Sequence, residues 1–209
     1  MERLAEQLYL IALDEKRGTL RMGVRRPMIP GICGALLLDL AVLGHIRVQL
    51  EQVTVESVGE TADPLLDRAM GSVLKGRGKP LRDHLKTLME DEVCYEKQIL
   101  MRLEETGQVR RVKTRTWGGL PVQGTVPTAD SGRAQVIEAL RKAVENEDAD
   151  PRMLALLSLV RALDLVPEVF ERKDRGHARR RLHLLTGHEP VGVTVERMFQ
   201  TVTAGSGLC

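Results

Sequence analysis

Two stretches of this chain, residues 32–43 and 154–165, are apolar on nearly every side of a helix, and they limit what the chain can fold into. A helix with no polar stripe has no face for water, so other elements must cover it all round. The rest of the sequence must therefore supply amphipathic layers around a buried rod. Aromatic residues make up only 2% of the 209, so the interior has to be built from Leu, Val, Ile, Ala and Met. Aliphatic interiors of that kind suit helix-on-helix packing, whereas a large β-sandwich draws more on aromatics. With 43% hydrophobic residues the composition is not that of a disordered chain, and the length allows one sizeable core.

Periodicity fills in the layers. Leu4, Leu8, Ile11 and Ala12 share one face and predict a helix over 3–13, followed by a charged turn and a short strand at 19–22. A loop over 23–30 leads to Pro30, well placed to open the first apolar helix, which Gly44 should end in a left-handed cap. Residues 45–50 and 53–58 alternate apolar and polar side chains and read as a hairpin. Thr61 or Asp63 caps the next helix, with Pro64 in its first turn. Residues 76–79 break that helix, Pro80 opens another, and a longer one reaches Thr106 and stops at Gly107. A strand over 108–117, a Gly118-Gly119 turn and a return over 120–126 make the second hairpin. Further helices follow Ser131 and Asp150-Pro151, and a last one spans 191–202. The expected fold class is mostly α, with about nine helices, two short hairpins and central apolar helices ringed by amphipathic ones. It forms one compact domain over 1–203 with a flexible tail at 204–209.

Several function classes find no support. Cys33, Cys94 and Cys209 are odd in number and unpaired locally, which reads as a reducing compartment, and no Cys/His cluster has zinc spacing. The N-terminus lacks signal-peptide features. The 32–43 run, interrupted by Gly34 and Asp39, is too short and too polar to span a bilayer. The expected setting is cytoplasmic, with membrane contact made peripherally on the cytoplasmic face. His45, His84, His177, His183 and His188 show no metal spacing, and His84 beside Asp83 reads as a surface residue. Gly76-Arg77-Gly78-Lys79 lacks both the Walker spacing and a preceding strand. No enzyme constellation, cofactor or metal site emerges.

The formal net charge is only +2, but the cations are clustered. In the strand ending at Trp117, the only tryptophan, side chains two apart share a face, so Arg111, Lys113, Arg115 and Trp117 form one row. Neighbours in that row stand about 6.6–6.8 Å apart. An indole flanked by cations fits the headgroup layer of a membrane, where the ring sits at the interface and Arg and Lys meet phosphates. The bland counterpart is an edge strand kept from aggregating by its charges. Arg17, Arg21, Arg25 and Arg26 form a second cluster ahead of the first apolar helix, and guanidinium pairs bidentately with phosphate. The basic run over 172–181 alternates with Glu171 and Asp174 and reads as a solvated, ion-paired helix. An exposed hairpin at 108–126 also offers an edge for pairing with a second copy.

Three blocks resemble the Golgi phosphoprotein 3 family. These are QLYLIALDEKRG at 7–18 followed by GICGALLLDLAVLG at 31–44; TADPLLDRAMGSVL at 61–74; and MLALLSLVRALDLVPEVF at 153–170 followed by HARRRLHLL at 177–185. The resemblance spans nearly the whole chain and rests on the order of the blocks. It implies a mainly helical domain and no catalytic activity. Eukaryotic members bind phosphatidylinositol 4-phosphate at membranes and act as adaptors for protein clients. Their lipid ligands, a tryptophan and three arginines, align here with Met22 or Gly23, Cys33, Val93 and Glu96, so no pocket residue carries over. Arginine outnumbers lysine and the eukaryotic leader region is missing, both of which suit a bacterial member. The expected function is that of a non-enzymatic peripheral module for anionic lipid headgroups. The alternative is a winged-helix-like nucleic-acid or protein-interaction module, because the order helix, glycine, hairpin occurs at Gly44 and again at Gly107.

Overall fold

The computed structural model of the chain describes residues 3–15, 18–20, 28–90, 92–115, 121–146 and 149–205, and the side chains of all these except 92–94, 115, 121–122 and 199–205. The first helix, α1 (Leu4–Ala12), leads to the central helix α2 (Met28–Val42). Twelve of the fifteen α2 residues are buried, as its lack of a polar stripe demands. The helix starts at Met28 rather than at Pro30, because proline is tolerated throughout a first turn where no intrahelical partner awaits its missing N–H. It ends in Gly44 at φ +76°, and the hairpin β1 (Ile46–Gln49) and β2 (Gln52–Val55) follows directly. The hairpin is antiparallel, with Gln49 opposite Gln52 closing a two-residue turn.

Next come α3 (Pro64–Lys75), α4 (Leu81–Met89) and α5 (Glu92–Glu105). Asp63, rather than Thr61, caps α3: its carboxylate accepts from Leu65 N at 2.9 Å. Thr61 instead donates its backbone N–H and its hydroxyl to the Asp67 carboxylate at 2.7 and 2.8 Å. Gly107 ends α5 at φ +70°, and the second hairpin follows as β3 (Val109–Arg115) and β4 (Pro121–Pro127). The helix–glycine–hairpin order is thus real and occurs twice. The chain closes with α6 (Arg133–Asn146), α7 (Pro151–Ala162), α8 (Val166–Val169), α9 (Arg175–Thr186) and α10 (Pro190–Gly205).

Ten helices therefore stand among the described residues, one more than periodicity alone suggests. The second apolar run breaks after Ala162, where Asp164 takes φ +50° and α8 begins as a separate turn with Pro167 inside it. Asp150 caps α7 by accepting from Met153 N at 2.7 Å. Helix α10 runs through Ala204 and Gly205, two residues into the expected tail.

A carboxylate stands deep in this aliphatic interior. Asp39, on α2 and 1% exposed, accepts from Leu4 N and from Arg152 Nη1, each at 2.9 Å. Arg152 also reaches Gln7 Oε1 at 3.4 Å. The carboxylate thereby answers an orphan N–H at the start of α1 and ties α1, α2 and α7 together. Burial raises the Asp39 pKa, against the pull of Arg152 and Leu4 N.

A second network joins the helices between the two hairpins. Asp63 receives Arg102 from α5 at 2.7 and 2.9 Å and Arg3 Nε at 2.9 Å. Burial alone would raise its carboxyl. The hydrogen bonds from Arg102, Leu65 N and Arg3 outweigh that and bring it down to about 2.

Candidate functional site

The β3–β4 hairpin is fastened at its base. Val109 and Val126 are buried, and Thr128 Oγ1 donates to Gly107 O at 2.7 Å. Its register sets Arg111 against Thr125, Lys113 against Gln123 and Arg115 against Pro121. Paired residues point to one face, so the backbone carries the row Arg111, Lys113, Arg115 on a single side. Trp117 and the turn lie outside the described residues.

The row is not uniform. Arg111 forms a bidentate pair with Glu104 of α5, Nε to Oε1 at 2.7 Å and Nη2 to Oε2 at 3.0 Å. That hydrogen bonding holds the Glu104 carboxyl below and the Arg111 guanidinium above their ordinary pKa values. Lys113 is exposed on the same face and Arg110 on the opposite one.

Between α5 and the hairpin lies a groove of about 670 Å³. Leu100 and Met101 give it an apolar floor, and Glu96, Glu104 and Glu105 line it beside Arg111. The helix ahead of the basic hairpin therefore lines the groove with three carboxylates against one cation, Lys97, the wrong balance of charge for a nucleic-acid recognition helix. Glu96, at one of the positions aligned with a lipid-binding arginine, accepts from Tyr9 Oη at 3.0 Å. Cys33, at another, is buried within α2. An anionic headgroup at this place would meet a carboxylate.

The segment at Gly18 and the hairpin meet. Thr125 N donates to Gly18 O at 2.7 Å. Gly18 takes φ +65°, and a Cβ placed on Gly124 would stand 2.5 Å from Gly18 O, so only glycine allows the approach. The loop is braced on its other side by an isolated bridge between Leu13 and Leu20. Arg133, which bonds Glu15 Oε1 at 2.5 Å and Leu10 O at 2.9 Å, adds a second brace. Arg17, Arg21, Arg25 and Arg26 lie outside the described residues, but Arg17 immediately precedes the glycine that touches β4. Gly124 was the legible signal for this contact: a glycine inside a strand often marks a close approach of another backbone.

Other candidates resolve into structural roles. In the 172–181 run, Arg175 donates to Phe170 O and Pro167 O, Arg179 pairs with Asp164 at 3.1 Å, and Lys173 pairs with Glu171 at 3.4 Å. His84 is buried rather than on the surface, because α4 turns it inward beneath Gly76. Burial lowers its pKa, so the ring is neutral at neutral pH. Among the described residues no group of three or more His, Cys, Asp or Glu could hold a metal ion, and no helix is long and apolar enough to cross a membrane.

Fold and site together define a class: a helical domain wrapped around one apolar helix, with two hairpins that each follow a glycine-capped helix. The Golgi phosphoprotein 3 (GPP34) family model matches residues 4–202, and the chain belongs to that family. No curated protein matches it.

Proposed function

We propose that this protein is a non-enzymatic peripheral membrane module that binds anionic lipid headgroups through the β3–β4 hairpin and the loop attached to it. The observation that supports this reading is the hydrogen bond between Thr125 N and Gly18 O, which ties β4 to the residue that follows Arg17 in sequence. Lys113 and Arg110 are exposed on the hairpin, and Trp117 follows them in sequence with the amphipathic ring that suits a membrane interface. The ligand is a class of charge rather than one phosphoinositide, because Glu96 and Cys33 stand where a specific pocket would need arginines. Recruitment of protein clients and pairing of the 108–126 hairpin with a second copy belong to the same reading.

Vesicle sedimentation tests it. Binding should require anionic lipid and weaken with salt. Neutralising Arg111, Lys113 and Arg115 together should weaken it about thirtyfold, at about 1 kcal/mol each for Lys113 and Arg115, because Glu104 already holds the Arg111 charge. Unchanged binding in that triple variant and in Trp117→Ala would refute the hairpin as the contact.

A further inference from the structure

The first hairpin carries a feature that the fold does not require. Leu50, at the tip of the β1–β2 turn, is 86% exposed and holds φ +56°. It is the first residue of a two-residue hairpin loop, where positive φ calls for glycine. A leucine there is strained, and it exposes its side chain to water without burying anything in return.

The strained tip is also held rigid. Glu51 O accepts from Leu81 N at 2.7 Å, Gln52 bridges to Pro80, and Arg197 pairs with the Glu51 carboxylate at 3.1 Å. These bonds seat the tip on the start of α4, directly after the turn Gly76-Arg77-Gly78-Lys79 that follows α3, and tie it to α10. Arg77 and Lys79 in that turn and Arg82 in the first turn of α4 are all exposed. Arg82 shares a small hollow with Glu51 and Arg197. The nearby carboxylates are engaged, Glu51 by Arg197 and Asp83 by Lys86 at 3.2 Å. An apolar knob thus stands on a fixed base beside cations.

We propose that the β1–β2 tip and the 76–82 segment form a second contact with an anionic lipid bilayer, in which Leu50 enters the interface while Arg77, Lys79 and Arg82 meet headgroup phosphates. A two-residue tip offers far less than the roughly 800 Å² per partner of a stable protein interface. A fluid bilayer surface can envelop a single projecting leucine with no preformed pocket, and its phosphates complement the surrounding charge. This surface is separate from the β3–β4 hairpin, and the inference does not depend on that hairpin binding lipid.

The test uses the full chain with vesicles of equal phosphatidylglycerol and phosphatidylcholine, and with pure phosphatidylcholine as control. Leu50→Gly should weaken binding to the anionic vesicles about tenfold or more, the contribution of one buried aliphatic side chain. Because glycine relieves the positive φ, the same variant should keep or raise its Tm by about 2 °C, so misfolding cannot explain the loss. Joint Arg77→Gln, Lys79→Gln and Arg82→Gln should weaken binding about a hundredfold. Wild-type binding by either variant overturns the proposal, as does a change from dimer to monomer in Leu50→Gly, which would make a second copy the occupant. If the Arg111, Lys113 and Arg115 neutralisation loses binding while Leu50→Gly keeps it, the hairpin reading stands and this one fails. The reverse result supports this one and removes the hairpin.

Discussion

The two hairpins begin alike and end differently. Each leaves a helix through a glycine with positive φ, at Gly44 and Gly107, and each returns as an antiparallel pair. The first has four-residue strands and an apolar tip seated on α4. The second has seven-residue strands, a basic strand laid over the acidic side of α5, and a backbone contact with the loop at Gly18. The local code of helix stop and strand alternation is therefore generic. The neighbours to which each hairpin is bonded set what it presents to solvent.

The largest expected effect comes from the network between the two hairpins. Asp63 caps the helix after the first hairpin and binds Arg102 on the helix before the second. Asp63→Ala removes a cap and takes from the partly buried Arg102 its two short hydrogen bonds, leaving it Glu6 at 3.5 Å, and should cost about 3 kcal/mol in chemical denaturation. A loss below about 1 kcal/mol would show that the two regions are stabilised independently.

Next is Gly124→Val, which forces a side chain into Gly18 O and should cost about 2 kcal/mol. Hydrogen exchange at Thr125 N–H should accelerate with it. Thr54→Val, on an exposed position of β2, should be close to neutral, so a similar cost at both sites would mean that the two hairpins are not held differently.

Acid should act through Asp63. Its folded pKa of about 2 lies below the ordinary 3.8, so its contribution is present above pH 3.8 and is lost as pH falls through 2. The shift corresponds to about 2 kcal/mol, and in Asp63→Asn that part of the acid-induced loss should vanish from the pH dependence of unfolding.

The smallest effect on stability is expected at the Glu104–Arg111 pair, which is exposed. Glu104→Gln should leave the Tm unchanged while freeing a guanidinium beside Lys113. Binding to anionic vesicles should rise about fivefold. No rise would mean that Arg111 does not face the lipid.

Much of the fold is legible in the sequence because it depends on neighbours within a few residues. The apolar run at 32–43 demands a buried helix, Gly44 and Gly107 stop helices, and Asp63-Pro64 and Asp150-Pro151 start them. The candidate site is less legible, because its determinants are pairings between distant residues. Nothing in a basic strand says that Arg111 will meet Glu104 or that Tyr9 will bond Glu96 across 87 residues. His84 misleads for the same reason: its neighbour Asp83 is polar, but helical rotation turns the two residues to different faces.

The Asp39 carboxylate has a consequence for how the chain is made. Its guanidinium partner lies 113 residues downstream. As the polypeptide emerges from the ribosome, α1 and α2 therefore exist for some time with a carboxylate in their shared interface and without the guanidinium that bonds it in the finished fold. The amino-terminal helices should therefore settle into a dry interior more readily once Arg152 has been synthesised. Nascent chains arrested short of that residue should remain open to protease, and the step to resistance should coincide with the appearance of α7.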